Sequence, residues 1–208
     1  MLLVVGLWLR ARRRNELSAW AESHGLSFDA AHDASYDERY AGFGCLRRGH
    51  SRHAYNVMSG EWEGHPVEAF DYRYVTGHGK NRSTHHFSAV VVDVGFPVKA
   101  LRIRPEGLFD RVTELLGADD IDFESAEFSR QFHVKGEDRR WAFDVLHQRT
   151  MAFLLSMPRF SLQFADHEVI AWRGRRFAPA TFAAALRVAI GIIDRLPPYV
   201  QQEQKKGR

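Results

Sequence analysis

The sequence contains one segment whose residue types suit the binding of an anion. Residues 77–84, GHGKNRST, combine two glycines, two cations and two hydroxyl side chains, so that backbone N–H groups and positive charge could face a phosphate. The predicted anion-binding residues are Lys80, Arg82, Ser83 and Thr84. The spacing of a phosphate-binding Walker loop is absent, and a strand rather than a helix follows. The alternative is therefore a solvated hairpin tip without a ligand.

A metal site is the second chemistry to consider, because the chain contains 11 histidines. His50 and His53 lie three residues apart, whereas the adjacent His85 and His86 would point to opposite faces of a strand. No HExxH motif or other recognised ligand spacing occurs. An acidic run could also hold a divalent cation, and it consists of Asp119, Asp120, Asp122, Glu124 and Glu127. The run lacks the glycine and the glutamate of a calcium loop, so we predict no metal and no cofactor.

Catalytic residues are not identifiable in the sequence. Asp144 and His147 have the i, i+3 spacing of an acid–base pair on a predicted helix, but ordinary surface contacts share that spacing. Cys45 precedes two arginines that would favour its thiolate, yet no histidine partner is evident. We therefore predict a binding or interaction module. The alternative is a hydrolase or transferase that uses the 77–84 loop for an anionic substrate.

The N-terminal segment joins an apolar run to a basic run. The predicted membrane-anchoring residues are Leu2, Leu3, Val4, Val5, Leu7, Trp8, Leu9, Arg10, Arg12, Arg13 and Arg14. This order is the reverse of a secretory signal and matches the cytoplasmic end of a membrane helix. The apolar part rises only about 13 Å, under half of the ~30 Å hydrocarbon core. It could dip into one leaflet, continue a spanning helix that begins before Met1, or pack as an arm on the body or on a partner.

We expect attachment to the cytoplasmic side of a membrane, with lipid of the anionic leaflet as the partner. A soluble cytoplasmic protein is the alternative, and a protein partner or self-association also stays open. The apolar run could form one rod with the helix that the sequence predicts after Arg14, which would hold the body about two turns from the membrane.

The overall charge argues against nucleic acid as a partner. Four arginines lie within residues 10–14, and the tail contains Lys205, Lys206 and Arg208. Removing these seven positive charges takes the net charge from +3 to −4. The body thus has no basic surplus, and we predict no nucleic-acid binding.

The hydrophobic patterns predict an α+β fold with a mainly antiparallel sheet covered by two long helices. Residues 87–94 are apolar on both alternating sets, as in a central strand. In residues 70–74 the aromatic side chains alternate with Asp71 and Arg73, which predicts one buried face and one solvated face.

Apolar residues at helical spacing predict the two long helices over residues 138–156 and 179–196, and a shorter helix from Pro105 to Gly117. No low-complexity linker divides the chain after the N-terminal segment. We expect three parts: an anchor with a short helix over residues 1–24, a single α+β domain over 25–200 and a basic disordered tail over 201–208.

Several longer phrases resemble an uncharacterised family of short bacterial proteins. They are FDYRYVTGHGKNRSTHHFSAVVV, IRPEGLFDRV, DIDFESAEFSRQFHV and DRRWAFDVLHQRTM. The family is similar in layout to domains of unknown function that an N-terminal transmembrane helix tethers, and the resemblance extends over most of residues 15–200. It implies an anchored layout and no particular activity. The chain departs from that layout in having only a short apolar segment before Arg10.

Overall fold

The computed structural model describes residues 2–107, 121 and 123–206. Within these ranges, eight strands form one sheet in the order β1-β2-β3-β4-β8-β7-β5-β6, and all neighbouring strands are antiparallel. The strands are β1 Ser27–Asp29, β2 His50–Trp62, β3 His65–Thr76, β4 Ser83–Asp93, β5 Leu101–Pro105, β6 Phe132–Gly136, β7 Ser161–Ala165 and β8 Glu168–Arg173. The structure is therefore α+β with a large antiparallel sheet, as predicted.

The helices precede, interrupt and follow the strands. They are α1 Leu2–Ser23, α2 Tyr36–Arg39, α3 Ala126–Ser129, α4 Arg139–Val145, α5 Gln148–Ser156, α6 Pro179–Ile193 and α7 Pro198–Lys206. Helix α7 extends into the segment that composition predicted to be a disordered tail. Most of the helix predicted from Pro105 to Gly117 lies outside the described residues, as do Asp119, Asp120 and Asp122; Glu124 and Glu127 are exposed.

The predicted pair of long helices covering the sheet is not confirmed. Helix α6 is long, but the helix predicted over residues 138–156 is divided into α4 and α5. The backbone of His147 is extended, and its ring nitrogen Nε2 lies 2.9 Å from the carbonyl oxygen of Arg195. Both short helices pack on the same core, so their apolar residues continue one periodic pattern across the break.

The sheet separates two hydrophobic cores. Helices α1, α4, α5 and α6 contribute buried residues to the larger core on one face. The segment that contains α2 and Cys45 covers the opposite face. Strand β4 lies between β3 and β8, and its Val90, Val91 and Val92 are buried. The prediction of a central strand over residues 87–94 is therefore confirmed.

Candidate functional site

Helix α1 is packed on the body through its C-terminal half. Leu17 and Ala21 are buried in the larger core. Trp20 stacks on Trp62 with ring centroids 5.7 Å apart, and it lies 6.0 Å from the ring of Phe182. This end of the helix thus contacts both the sheet and α6, which fixes the direction in which the rest of α1 continues.

The N-terminal half of α1 is apolar and exposed. Val4, Leu7 and Trp8 are 69%, 65% and 58% exposed, and Val5 and Leu9 are exposed as well. Because successive helical residues are about 100° apart, these five side chains spread over slightly more than half of the helix circumference, a wider arc than a single core-facing stripe. The described residues of the apolar end therefore project away from the body, and the packed-arm alternative on this body is not what the structure shows.

A charged turn follows the apolar end directly. Arg10, Arg12 and Arg14 are exposed. The Nε of Arg12 donates to the Oε1 of Glu16 at 2.8 Å, and the Arg12 guanidinium lies 5.5 Å from the ring centroid of Trp8. Apolar and charged residues are thus separated along the helix axis. Such a distribution suits a helix end that enters an apolar phase along its axis more than one that lies flat.

Arg13 is the exception among the four arginines, because it pairs with a buried carboxylate. Its Nε and Nη2 donate to the two oxygens of Asp71 at 2.7 and 2.6 Å, and its Nη1 donates to the carbonyl of Phe177 at 3.0 Å. Asp71 also accepts hydrogen bonds from the hydroxyl of Ser88 at 2.5 Å and from the amide of Asn56 at 3.0 Å. The predicted solvated face at Asp71 is therefore wrong, since the side chain is 0% exposed.

This network fixes α1 on the sheet. Burial opposes the charge of Arg13, but the hydrogen bonds and the negative charge of Asp71 outweigh it and raise the pKa of Arg13. A bidentate pair also defines the rotation of the helix, because the guanidinium fork fits one orientation. Arg13 lies four residues after Leu9, about 6 Å along the axis. The apolar run and the following helix form one continuous rod, which the sequence had left as a possibility, and the body begins about one turn from the apolar end instead of two.

The predicted anion-binding residues lie together at the hairpin tip between β3 and β4. Lys80, Arg82, Ser83 and Thr84 are all exposed. In the described part of the chain, no ion pair or hydrogen bond is formed by the side chains of Lys80 or Arg82.

The tip has a defined backbone. Gly77 has φ +69°, and a Cβ added there would lie 2.3 Å from the carbonyl oxygen of Asn81. A ring nitrogen of His50 lies 3.2 Å from the carbonyl oxygen of Gly77, and the His50 ring stacks on His78 at 4.9 Å. The loop is thus closed by glycine geometry and braced by histidines, while its cations face outward.

A cavity of about 280 Å³ lies at the start of β4, where β8 has already ended; its lining residues are Cys45, Arg48, Tyr74, Thr84, His85, His86, Phe87, Trp172 and Gly174. Cys45 is buried, so its thiol is shielded from solvent. His85 places Nε2 2.7 Å from the hydroxyl of Thr76 and stacks on Tyr74 at 4.7 Å. His85 therefore has a structural role in the wall of this cavity.

Asp144 and His147, whose spacing an acid–base pair would share with ordinary surface contacts, do not contact each other in the structure. The carboxylate of Asp144 accepts a hydrogen bond from the hydroxyl of Tyr199 at 2.5 Å. The ring of His147 instead faces the Arg195 carbonyl and the hydroxyl of Thr150, which is 3.2 Å from Nε2. The two side chains serve separate contacts, because the helix on which their spacing was based is broken at His147.

The histidines are distributed over separate ring contacts. His53 stacks on His32 at 4.5 Å, while His50 stacks on His78. Within the described ranges, no group of three or more histidine, cysteine, aspartate or glutamate side chains is placed to hold a metal ion. Over the same part of the chain, no helix has the length and apolarity needed to cross a bilayer.

The fold has a counterpart among solved structures. It is similar to the crystal structure of the mycobacterial trehalose monomycolate transport factor A, TtfA, with a TM-score of 0.67 and 16% sequence identity. The alignment covers 89% of this chain and 96% of that one. At this identity the likeness shows the fold alone. No protein-family model and no curated protein matches the chain.

Proposed function

We propose that this protein is a membrane-attached binding module that faces the cytoplasm, with the apolar end of α1 embedded in one leaflet. The observation that carries the proposal is the wide, exposed apolar surface of residues 4–9 on a helix whose other half is fixed to the body. An exposed apolar arc of this width is stable where an apolar phase covers it.

The magnitudes favour attachment. Full burial of one large apolar side chain contributes about 1.5–3 kcal/mol. Five such side chains that are half to two-thirds exposed would contribute on the order of 5 kcal/mol on entering the acyl region. Arg10, Arg12 and Arg14 each add about 1 kcal/mol next to anionic lipid. Arg13 adds no lipid contact in this proposal, because Asp71 already holds its guanidinium.

The hairpin tip extends the same proposal to a second contact. Arg13 contacts Asp71 and Ser88. Arg10 lies one turn earlier in the helix, and its positive charge contributes to the lowered pKa of His86, which is nearer the tip along β4. The exposed half of α1 and the 77–84 tip therefore point towards the same end of the sheet. We assign Lys80, Arg82, Ser83 and Thr84 to the binding of anionic headgroups from this position.

The similar fold is the basis for a more specific role of the module. The protein with that fold is described as a trehalose monomycolate transport factor. A transport-related role is accordingly the one we favour for this chain, with the module acting through binding and not through catalysis.

The proposal is tested by sedimenting the full chain with vesicles of phosphatidylcholine alone and of an equimolar mixture with phosphatidylglycerol. The full chain should pellet with the mixed vesicles, and the variant Leu7→Ser/Trp8→Ser should stay in the supernatant. The matched control is Phe143→Ser/Tyr199→Ser, which removes two exposed large side chains from the body and should pellet like the original chain.

Two results would contradict attachment. One is a full chain that stays in the supernatant with both kinds of vesicle. The other is equal sedimentation of the original chain and Leu7→Ser/Trp8→Ser. Sedimentation without vesicles distinguishes membrane binding from self-association through the apolar end. Self-association would increase the size of the protein, or pellet it, in the absence of lipid.

A further inference from the structure

We propose that a phosphate-binding site lies beside the point where α1 leaves the sheet, formed by Arg73, His86 and Arg176 together with Arg10. The ligand is a phosphate group, and in the attached protein it belongs to the headgroup of an anionic lipid. This choice of source rests on the membrane attachment proposed above, whereas the site itself rests on the positions of its side chains.

The strand register places three basic side chains in one row across the sheet. Arg73 of β3 pairs with His53 of β2 on one side and with His86 of β4 on the other. Residues directly paired in antiparallel strands project from the same face, about 5 Å apart. The next row on this face, about 7 Å further along the strands, consists of Tyr55, Asp71 and Ser88. Arg13 covers that second row, so the basic row lies at the edge of the surface that α1 covers.

His86 contacts Tyr55 and lies near the loop that follows β8. The hydroxyl oxygen of Tyr55 lies 3.0 Å from Nδ1 of His86. Both neighbours of Arg176 in that loop contact Ser88 of β4, since the carbonyl of Arg175 accepts from the Ser88 N–H at 3.2 Å and the N–H of Phe177 donates to the Ser88 hydroxyl at 2.9 Å. A neutral His86 ring that accepts the Tyr55 proton at Nδ1 carries its own proton on Nε2. Since His86 and Arg176 are exposed, an imidazole N–H and guanidinium N–H groups are available to a ligand at one place.

Positive charge accumulates at this place without a matching number of carboxylates. Burial lowers the pKa of His86, and the charges of Arg176, Arg73 and Arg10 lower it further. In the described part of the chain, Asp71 is the carboxylate that opposes them, and Arg13 already neutralises it. The cluster stands out because the body carries a net negative charge once both basic ends are set aside.

The donors suit a phosphate in particular. Guanidinium groups bind phosphate oxygens through paired N–H donors, and a tetrahedral anion can accept from several directions at once. Arg10 ties the site to the membrane, because it follows Leu9 directly in the helix. When residues 4–9 are embedded, Arg10 lies at headgroup depth, and its charge is one of those that lower the pKa of His86.

The test compares the full chain with Arg73→Gln/Arg176→Gln. The control Arg139→Gln/Arg149→Gln removes the same charge from exposed positions on α4 and α5. Binding of the first variant to mixed phosphatidylcholine and phosphatidylglycerol vesicles should weaken on the order of 30-fold, since each lost arginine near an anionic surface weakens it about fivefold. The control variant should bind the mixed vesicles almost as the original chain does. Binding of either variant to pure phosphatidylcholine vesicles should also change little.

Inorganic phosphate separates the site from the membrane. In NMR spectra of the full chain, added phosphate should shift the ring resonances of His86, and Arg73→Gln/Arg176→Gln should abolish the shift. The single variant Arg176→Gln changes only an exposed position, so it tests the site even if the double variant fails to fold. It should weaken the phosphate response about fivefold. Thermal unfolding of each variant verifies that it is folded.

The outcomes keep the two proposals apart. If phosphate shifts His86 while the chain binds no vesicle, the site stands as a site for free phosphate and membrane attachment is wrong. If the chain binds vesicles but both double variants weaken binding equally, the attraction is general and the site is wrong. The site is also wrong if phosphate leaves His86 unchanged in the original chain.

Discussion

Replacing Arg13 with methionine removes the partner of a carboxylate that has no access to solvent. Asp71 is 0% exposed, and Arg13 is 18% exposed in the same pair. Removing one member of a buried pair costs about 3–5 kcal/mol, because the other charge is left without compensation. The residual exposure of Arg13 gives water some access to the site. We therefore expect Arg13→Met to lower the free energy of unfolding by about 3 kcal/mol, the low end of that range.

Arg12→Met is the matched control, since it makes the same change one residue earlier. Arg12 pairs with Glu16 on the exposed surface of the helix, and such pairs contribute less than about 0.5 kcal/mol. Urea unfolding followed by tryptophan fluorescence measures both variants, and the denaturant dependence should stay the same while the midpoint falls. Because Arg13 faces the sheet, folded Arg13→Met should still bind vesicles.

A double-mutant cycle identifies the cause of the loss. Asp71→Asn removes the buried charge and keeps the side-chain volume, so in the Arg13→Met background it should restore part of the stability. We expect a coupling energy above about 1 kcal/mol between the two positions. Equal destabilisation by Arg12→Met and Arg13→Met, or additive effects of the two changes in the cycle, would refute the assignment of the buried pair.

Four further predictions concern the 77–84 tip, the proposed phosphate site and the apolar end of α1. Lys80→Ala/Arg82→Ala should weaken binding to anionic vesicles without lowering the melting temperature, because neither side chain is packed; a lower melting temperature would show a structural role. Gly77→Ala should cost about 1–3 kcal/mol in unfolding experiments, since its φ is +69° and the added Cβ meets the Asn81 carbonyl; an unchanged stability would contradict this. Burial and the neighbouring cations lower the pKa of His86, so the ring is neutral at pH 7 and takes up a proton as phosphate binds. Binding to vesicles that contain phosphatidylglycerol, whose phosphodiester keeps one negative charge over this range, should therefore strengthen as the pH falls from about 8 to 6; calorimetry that detects no proton uptake would count against this. Trp8→Phe should remove the blue shift of tryptophan fluorescence on vesicle binding, and a persisting shift would place the change at another tryptophan.

The sequence predicted strand β4 because burial on both faces leaves a direct trace in composition. Val90 and Val92 belong to the larger core and Val91 to the smaller one, so both alternating sets had to be apolar. The apolar end of α1 could also be predicted from the sequence, because it depends only on the type and order of neighbouring residues.

Contacts between distant segments leave no such trace. Arg13 and Asp71 are 58 positions apart, and each has a plausible local interpretation, as one of several exposed arginines and as the solvated residue of an alternating strand. The position of Asp71 between buried aromatic residues was the available signal that its side chain is buried. That position does not identify the residue that pairs with the carboxylate. The break at His147 was missed because two helices facing one core keep a common apolar period.

The continuity of α1 from its apolar end to the buried pair has a consequence for association. Helix α1 runs without a break from residues 4–9 to the body, so membrane attachment would also restrict how the sheet can rotate. Two molecules that meet in free solution lose translational and rotational freedom when they bind. A body held by a stiff helix has lost much of that freedom beforehand. A partner in the same membrane would meet the cavity at the start of β4 and the 77–84 tip in one orientation, and a modest contact area would suffice to hold it.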